Sequence, residues 1–191
     1  MLDRLKRSVE SSPVVRINSY EYSVSPITDG VPWMEPELLE EITDHIIQIA
    51  NLDCDLIVAP EAMGIPIAVS LSLRTGIPYN VVRKRRYGLP GEISISQLTS
   101  YSKSQMYING LKSGDRVVLV DDVISTGNTT GAVIEALKQA RVEIVDVVIV
   151  LERGEGRETI ERRTGQHIKT LMRAEVRGGR TVASIRQGEQ M

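Results

Sequence analysis

Apolar positions along the chain fall into two recurring patterns. Short, nearly continuous apolar runs read as strands covered on both faces: LIVAP from Leu56, IPYNVVR from Ile77, RVVLVDD from Arg116, VEIVDVVIVLE from Val142 and HIKTLMRA from His167. Between them lie segments of helical character: Ile65–Thr75 closed by Gly76, Thr129–Ala140, and a short Thr159–Arg163. Upstream, a helix opens at Glu35-Pro36 and lines up Leu39, Ile42, Ile46 and Ile49 on one face. Leu2, Leu5 and Val9 fit a short amphipathic helix, VVRINSYEYSV a strand or hairpin, and Thr28-Asp29-Gly30 a turn. Tyr87–Lys103, rich in Ser and interrupted by Gly88, Pro90 and Gly91, reads as a long loop. After the fifth strand, RGGR turns the chain into TVASI.

Strands alternating with helices predict an α/β fold, with a mainly parallel central sheet flanked by helices and right-handed crossovers. The whole chain, 1–191, reads as a single domain with its core over residues 55–175 and a small N-terminal segment over 1–35. Ligands in such sheets sit beyond the carboxyl ends of the strands. Three polar or glycine-rich segments fall there: Pro60–Gly64, Asp121–Thr130 and Arg153–Arg157.

Composition narrows the class. Lys plus Arg number 23 and Asp plus Glu 25, so a sequence-wide attraction to nucleic acid is not expected. With one Trp, six Tyr and no Phe, the core must be aliphatic. The lone Cys54 excludes an intrachain disulfide, and the two histidines lack metal-ligand spacing; His167 is expected to open a strand. No stretch approaches bilayer length, and the charged N-terminus lacks the apolar core of a signal peptide, so the cytoplasm is the expected location.

The chemistry concentrates in VVLVDDVISTGNTT, residues 117–130. An apolar strand delivers Asp121 and Asp122 to its carboxyl end, and Ser125, Thr126, Gly127, Asn128 and Thr129 follow as a helix begins. A helix start offers free N–H groups and partial positive charge to a phosphate, and Gly127 permits close backbone approach. The carboxylates can meet ribose hydroxyls or hold magnesium through water. The Gly-Lys-Ser/Thr ending of a Walker loop and the glycine spacing of a dinucleotide fingerprint are both absent. Helix capping by Ser125, Thr126 and Asn128, or an acidic pair as found in phosphoacceptor domains, would explain part of the string but not the whole of it. A second turn, Glu61-Ala62-Met63-Gly64, can receive an anion on its backbone amides. Arg83–Arg86 form a basic run before Gly88-Leu89-Pro90-Gly91-Glu92, which is either a pyrophosphate contact or a solvated face.

Residues 117–130 resemble the phosphoribosyl pyrophosphate motif of type I phosphoribosyltransferases. The resemblance implies that fold, with a hood formed by residues 1–35 and a mobile loop. It implies Asp121 and Asp122 on the ribose hydroxyls and Ser125–Thr129 on the 5′-phosphate. Glu61, Ala62, Met63 and Gly64 are similar to the pyrophosphate loop of the adenine and xanthine branches, where an unusual peptide bond is frequent. Arg83 and Lys84 match the RK-x-x-x-LPGE segment of adenine enzymes, with one extra residue before Leu89, and are expected to face pyrophosphate. Residues 96–104 would be the mobile cover. Gln97-Leu98-Thr99 does not match the Leu-Glu-Tyr that adenine enzymes carry there, whereas Tyr101-Ser102 resembles xanthine relatives and an archaeal hypoxanthine–guanine group. Asn128 departs from a second glycine, which predicts slight crowding. Ser125 stands where animal and bacterial hypoxanthine–guanine enzymes place an acid/base Asp.

VSPITDGVP…EPELL resembles the archaeal hypoxanthine–guanine branch. That implies purine salvage, giving IMP or GMP and pyrophosphate with Mg²⁺, the ion held mainly by substrate and water with Asp121 and Asp122 as the protein groups nearest to direct ligation. The resemblance implies catalytic work by Asp121, Asp122, Arg83 and Lys84, and a base pocket from Arg153, Ile27, Thr28 and Asp29. Arg153 aligns with a base-contacting Lys of xanthine relatives; a surface pairing with Glu152 or Glu155 is the competing expectation. Implied partners are phosphoribosyl pyrophosphate, a 6-oxopurine and a second copy in a homodimer, without nucleic acid or membrane. The alternatives are xanthine or adenine transfer, or a non-catalytic sensor of phosphoribosyl pyrophosphate, against which weighs the lack of an added DNA-binding element. Orotate transfer fits the core but not the LPGE and LER segments.

Overall fold

The computed structural model describes residues 2–18, 20–98 and 103–185. Its centre is a six-stranded sheet in the order β10-β9-β8-β7-β3-β4. The strands are β3 Leu56–Pro60, β4 Tyr79–Val82, β7 Arg116–Ile124, β8 Glu143–Glu152, β9 Lys169–Arg177 and β10 Arg180–Ile185. All neighbours pair in parallel except β9 and β10. The helices are α3 Pro36–Ile49, α4 Gly64–Thr75, α5 Asn128–Gln139 and α6 Gly156–Thr164.

Side-chain alternation explains why both sheet faces are covered. On β7, Val118 and Val120 join the cluster under α3 and α4, and Val117 and Leu119 join the one under α5. On β8, Val148 and Val150 take the first side and Val147 and Ile149 the second. All eight are fully buried, each such side chain contributing about 1.5–3 kcal/mol relative to exposure. This two-sided burial produces the continuous apolar runs in the sequence.

The N-terminal segment forms α1 Asp3–Glu10, the hairpin β1 Val14–Ile17 with β2 Tyr20–Ser23, and one helical turn, α2 Pro26–Asp29. The predicted turn at Thr28–Gly30 is thus the end of α2, with Gly30 in the left-handed region at φ 67°. Ser25 caps it through Thr28 N. A cis Val31-Pro32 bond follows, and Trp33 is 66% exposed beyond it.

The predicted loop Tyr87–Lys103 is corrected. It contains β5 Ile93–Leu98, which pairs antiparallel with β6 Lys103–Ile108 to make an arm. Ile93-Ser94-Ile95-Ser96 alternates at the strand period, and Ile95, Met106 and Ile108 are buried in the α5-side cluster. Serine content concealed that alternation. The arm joins the sheet where Arg83 and Tyr107 exchange both backbone hydrogen bonds, 2.8 and 2.7 Å. The cover expected over residues 96–104 falls partly outside the described residues, and Thr99 and Tyr101-Ser102 lie wholly outside them.

Three boundaries also move. β7 continues two residues past Asp122, and α6 begins at Gly156 rather than Thr159. His167 precedes β9 instead of opening it, with Nδ1 2.8 Å from Glu161 Oε1.

Candidate active site

The chain reverses direction across the sheet between β3 and β7, since β4 lies on one side of that pair and β8 and β9 on the other. A crevice beyond the strand ends at such a point is where open α/β sheets take ligands. The loops after β3, β7 and β8 do converge there. A Cβ built on Gly64 would lie 3.0 Å from Asp121 Oδ1 and 3.4 Å from the Val120 carbonyl, so the start of α4 leans directly on the β7 carboxylate. A Cβ on Gly156 would collide with Ser125 O, Thr126 C and Gly127 N. The first residue of α6 therefore wedges against the loop that follows β7, and only glycine leaves room.

Asp121 and Asp122 are 6% and 9% exposed. Asp122 N donates to Asp121 Oδ1 at 3.0 Å. Burial and the adjacent carboxylate push Asp121 well above the usual carboxylate range. Burial raises Asp122 too, against hydrogen bonds to its carboxylate and the positive field of Arg153. Two buried carboxyls that resist joint ionisation form a receptor for hydroxyl donors or a cation. Among the described residues no group of three or more His, Cys, Asp or Glu side chains could hold a metal ion. The pair fits a divalent ion whose remaining ligands come from substrate and water.

After the pair, Ser125 and Thr126 are exposed and Gly127 is buried at φ 76°. Gly127 caps α5, and its own Cβ would strike Ile160 of α6. Asn128 is exposed on the first helical turn. Gly127, not Asn128, takes the left-handed conformation. Five residues, Ser125–Thr129, thus wrap a helix start whose N–H groups suit a phosphate.

The loop after β3 holds a cis Glu61-Ala62 peptide bond. Glu61 accepts from Lys84 N at 3.0 Å and lies 3.6 Å from Arg83 Nη1. Met63 touches the hood, its Cε 3.8 Å from the position a Cβ would take on Gly30. The basic run divides. Arg83 meets Glu61, Arg85 stacks 5.7 Å from the centre of the Tyr87 ring, and Arg86 pairs with Glu92 at 3.3 Å. Glu92 also accepts from the Tyr87 and Gly88 amides, so the LPGE glutamate folds its own loop. Arg83 and Lys84 are the two cations beside the Glu61 turn.

Arg153 does not pair with Glu152 or Glu155. Its Nη2 donates to Ser23 O at 3.2 Å and its guanidinium lies 5.3 Å from the centre of the Tyr22 ring. It borders a cavity of about 610 Å³ with Arg16, Tyr20, Glu21 and Glu175. Asp29 and Thr28 are half-buried and bonded to each other, 2.6 Å between Thr28 Oγ1 and Asp29 Oδ2. Ile27 is fully buried in the core, so its side chain offers no surface to a ligand.

Sequence reasoning missed three residues. Tyr22 accepts Arg153 on its ring and donates its hydroxyl to Asp29 at 2.9 Å; burial and that bond raise its pKa. Glu152, 1% exposed, joins Arg157 at 3.2 Å and Arg173 at 3.3 Å, and so ties the first turn of α6 to the end of β8. Gly156 is the wedge itself. Only Glu152 left a signal, as an acid closing the apolar run Val147–Leu151.

A profile described as phosphoribosyl transferase domain matches residues 35–170. The chain belongs to the phosphoribosyltransferase family. It is 52% identical over 180 residues to the hypoxanthine/guanine phosphoribosyltransferase of Methanothermobacter thermautotrophicus, covering 94% of this chain and 93% of that one. It is 53% identical to the protein of the same name from Methanothermobacter marburgensis, covering 98% and 100%. Among solved structures, the adenine phosphoribosyltransferase of Thermoanaerobacter pseudethanolicus superposes with a TM-score of 0.75 at 22% identity, over 91% of this chain and 99% of that one. That of Leishmania donovani gives 0.73 at 22%, over 90% and 79%. These establish the type I phosphoribosyltransferase fold. Within the described residues, no helix is long and apolar enough to cross a membrane.

Proposed function

We propose that this phosphoribosyltransferase serves purine salvage, moving the 5-phosphoribosyl group from phosphoribosyl pyrophosphate to hypoxanthine or guanine. The observation that carries the donor half is the buried Asp121–Asp122 pair beside the glycine-wedged Ser125–Thr129 loop. Ribose hydroxyls donate to the two carboxylates, and the 5′-phosphate takes the helix start. The C1′–O bond to pyrophosphate breaks, the C1′–N9 bond to the purine forms, and the N9 proton is released. Arg83, Lys84 and the amides of residues 61–64 neutralise the departing pyrophosphate. Asp121 and Asp122 would help to hold a magnesium ion bound with the substrate, and the ion would supply further charge neutralisation for the departing pyrophosphate. On the acceptor side, the Arg153 guanidinium donates to the purine O6, with the hood at Thr28–Asp29 closing the pocket. The names of the Methanothermobacter relatives support the same choice of base. We infer a cytoplasmic homodimer that needs neither nucleic acid nor membrane.

Steady-state assays with hypoxanthine, guanine, xanthine and adenine test the proposal. Turnover of hypoxanthine and guanine, with adenine poor, is expected. Exclusive use of adenine would overturn it.

A further inference from the structure

Arg153 is held in an unusual way for a surface-accessible arginine. Its backbone N–H donates to Ile124 O at 2.8 Å, which anchors it to the end of β7. Its guanidinium rests 5.3 Å from the centre of the Tyr22 ring, and one N–H reaches Ser23 O. Neighbouring acids are engaged elsewhere: Glu152 by Arg157 and Arg173, Glu175 by Arg173 and Arg177. Among the described residues, no carboxylate lies within ion-pair distance of Arg153. A ring face orients a cation without neutralising it and without occupying its planar N–H fork. Tyr22 is in turn fixed. Its hydroxyl donates to Asp29 Oδ1 at 2.9 Å, while Asp29 Oδ2 receives Ser25 N and the Thr28 hydroxyl. Ser23 is bound by the Thr181 hydroxyl at 2.8 Å.

We propose that Tyr22, steadied by Asp29, is the positioning residue that holds the Arg153 guanidinium ready for a 6-oxopurine. The inference rests on the acceptor reading above. Without the ring, the long side chain regains its rotamer freedom, and the donor to O6 must be ordered anew at each binding event. The role is acceptor-specific, since the ring and hydroxyl of Tyr22 meet Arg153 and Asp29, both assigned to the base pocket.

The test compares Tyr22→Leu, Tyr22→Phe, Asp29→Asn, Arg153→Met and the double variant Y22L/R153M. KM and kcat are measured separately for hypoxanthine and for phosphoribosyl pyrophosphate. Tyr22→Leu is expected to raise the hypoxanthine KM on the order of ten-fold, with the donor KM within about two-fold of wild type. Tyr22→Phe keeps the ring but loses the bond to Asp29, so its rise is expected to be about three-fold and no smaller than that of Asp29→Asn. Asp29→Asn reproduces the Leu pattern at smaller size, which keeps the test open if Y22L does not fold. Y22L adds nothing once Arg153 is Met. An unchanged hypoxanthine KM in Y22L and D29N, equal rises in both KM values, or an additive double variant would each overturn the inference while leaving the proposed function standing. A wild-type protein that uses only adenine removes both.

Discussion

The donor and acceptor sides of the crevice are built by different means. The donor side is made of strand ends, glycines and backbone amides. Asp121 sits near the carboxyl end of β7, Gly64 and Gly156 press from the starts of α4 and α6, and the stretch Ser125–Thr129 proposed for the phosphate is one continuous segment. The acceptor side is made of side chains from distant places. Arg153, in the loop after β8, meets Ser23 and Tyr22 of β2 across 130 positions, through one hydrogen bond and a ring stack. Backbone wedged against backbone has few alternative arrangements, whereas a stacked arginine has many. In the proposed function, ribose phosphate lies on the rigid side and the choice of base on the adjustable one.

The largest expected effect breaks the donor side. Asp121→Asn should lower kcat/KM for phosphoribosyl pyrophosphate by at least about 100-fold, read by initial rates. Its effect on the ligand-free protein should run the other way. Because the folded-state pKa of Asp121 is raised above 3.8, the stability this carboxyl contributes is complete below that value. It is lost as pH rises through the folded pKa. The Asn variant lacks this loss, so its melting temperature should fall less steeply than wild type from about pH 4 upward. Parallel profiles for the two proteins would contradict the buried-pair description.

Gly156→Ala should come next. The added methyl meets the backbone of Ser125–Gly127, an overpacking that costs about 1–3 kcal/mol. Calorimetry should show a lower melting temperature, and the donor KM should rise roughly ten-fold while the hypoxanthine KM stays put. A rise confined to hypoxanthine would place the wedge on the wrong side of the crevice. The smallest change is expected from Arg153→Met. It should raise the hypoxanthine KM about ten-fold, leave the donor KM alone, and narrow the preference for hypoxanthine over adenine. Unchanged hypoxanthine turnover would remove Arg153 from the base pocket.

The same division governs what could be read in the sequence. VVLVDDVISTGNTT is legible because strand, carboxylates, glycine and helix start are neighbours in the chain, so a local string encodes a local shape. The sheet was legible because burial on both faces leaves long aliphatic runs. The β5–β6 arm was not, since Ser94 and Ser96 on its outer face look like loop composition, while the register with Met106 and Ile108 is set by tertiary packing. Tyr22 was invisible for a different reason. Nothing in SYEYS distinguishes a tyrosine that will carry an arginine from one that will face water, as the exposed Tyr20 does. Gly156 stood within the segment Arg153–Arg157 with nothing to single it out, because its necessity comes from a loop thirty positions earlier.

The exposed tryptophan after the hood's cis proline has a practical corollary. Trp33 is the chain's only indole, and it lies exposed in the N-terminal segment just after α2. The wild-type protein thus carries a single indole as an optical reporter of its hood. Titrating purine and phosphoribosyl pyrophosphate separately while watching that single fluorophore would resolve which substrate reorganises the hood, without labelling and without turnover.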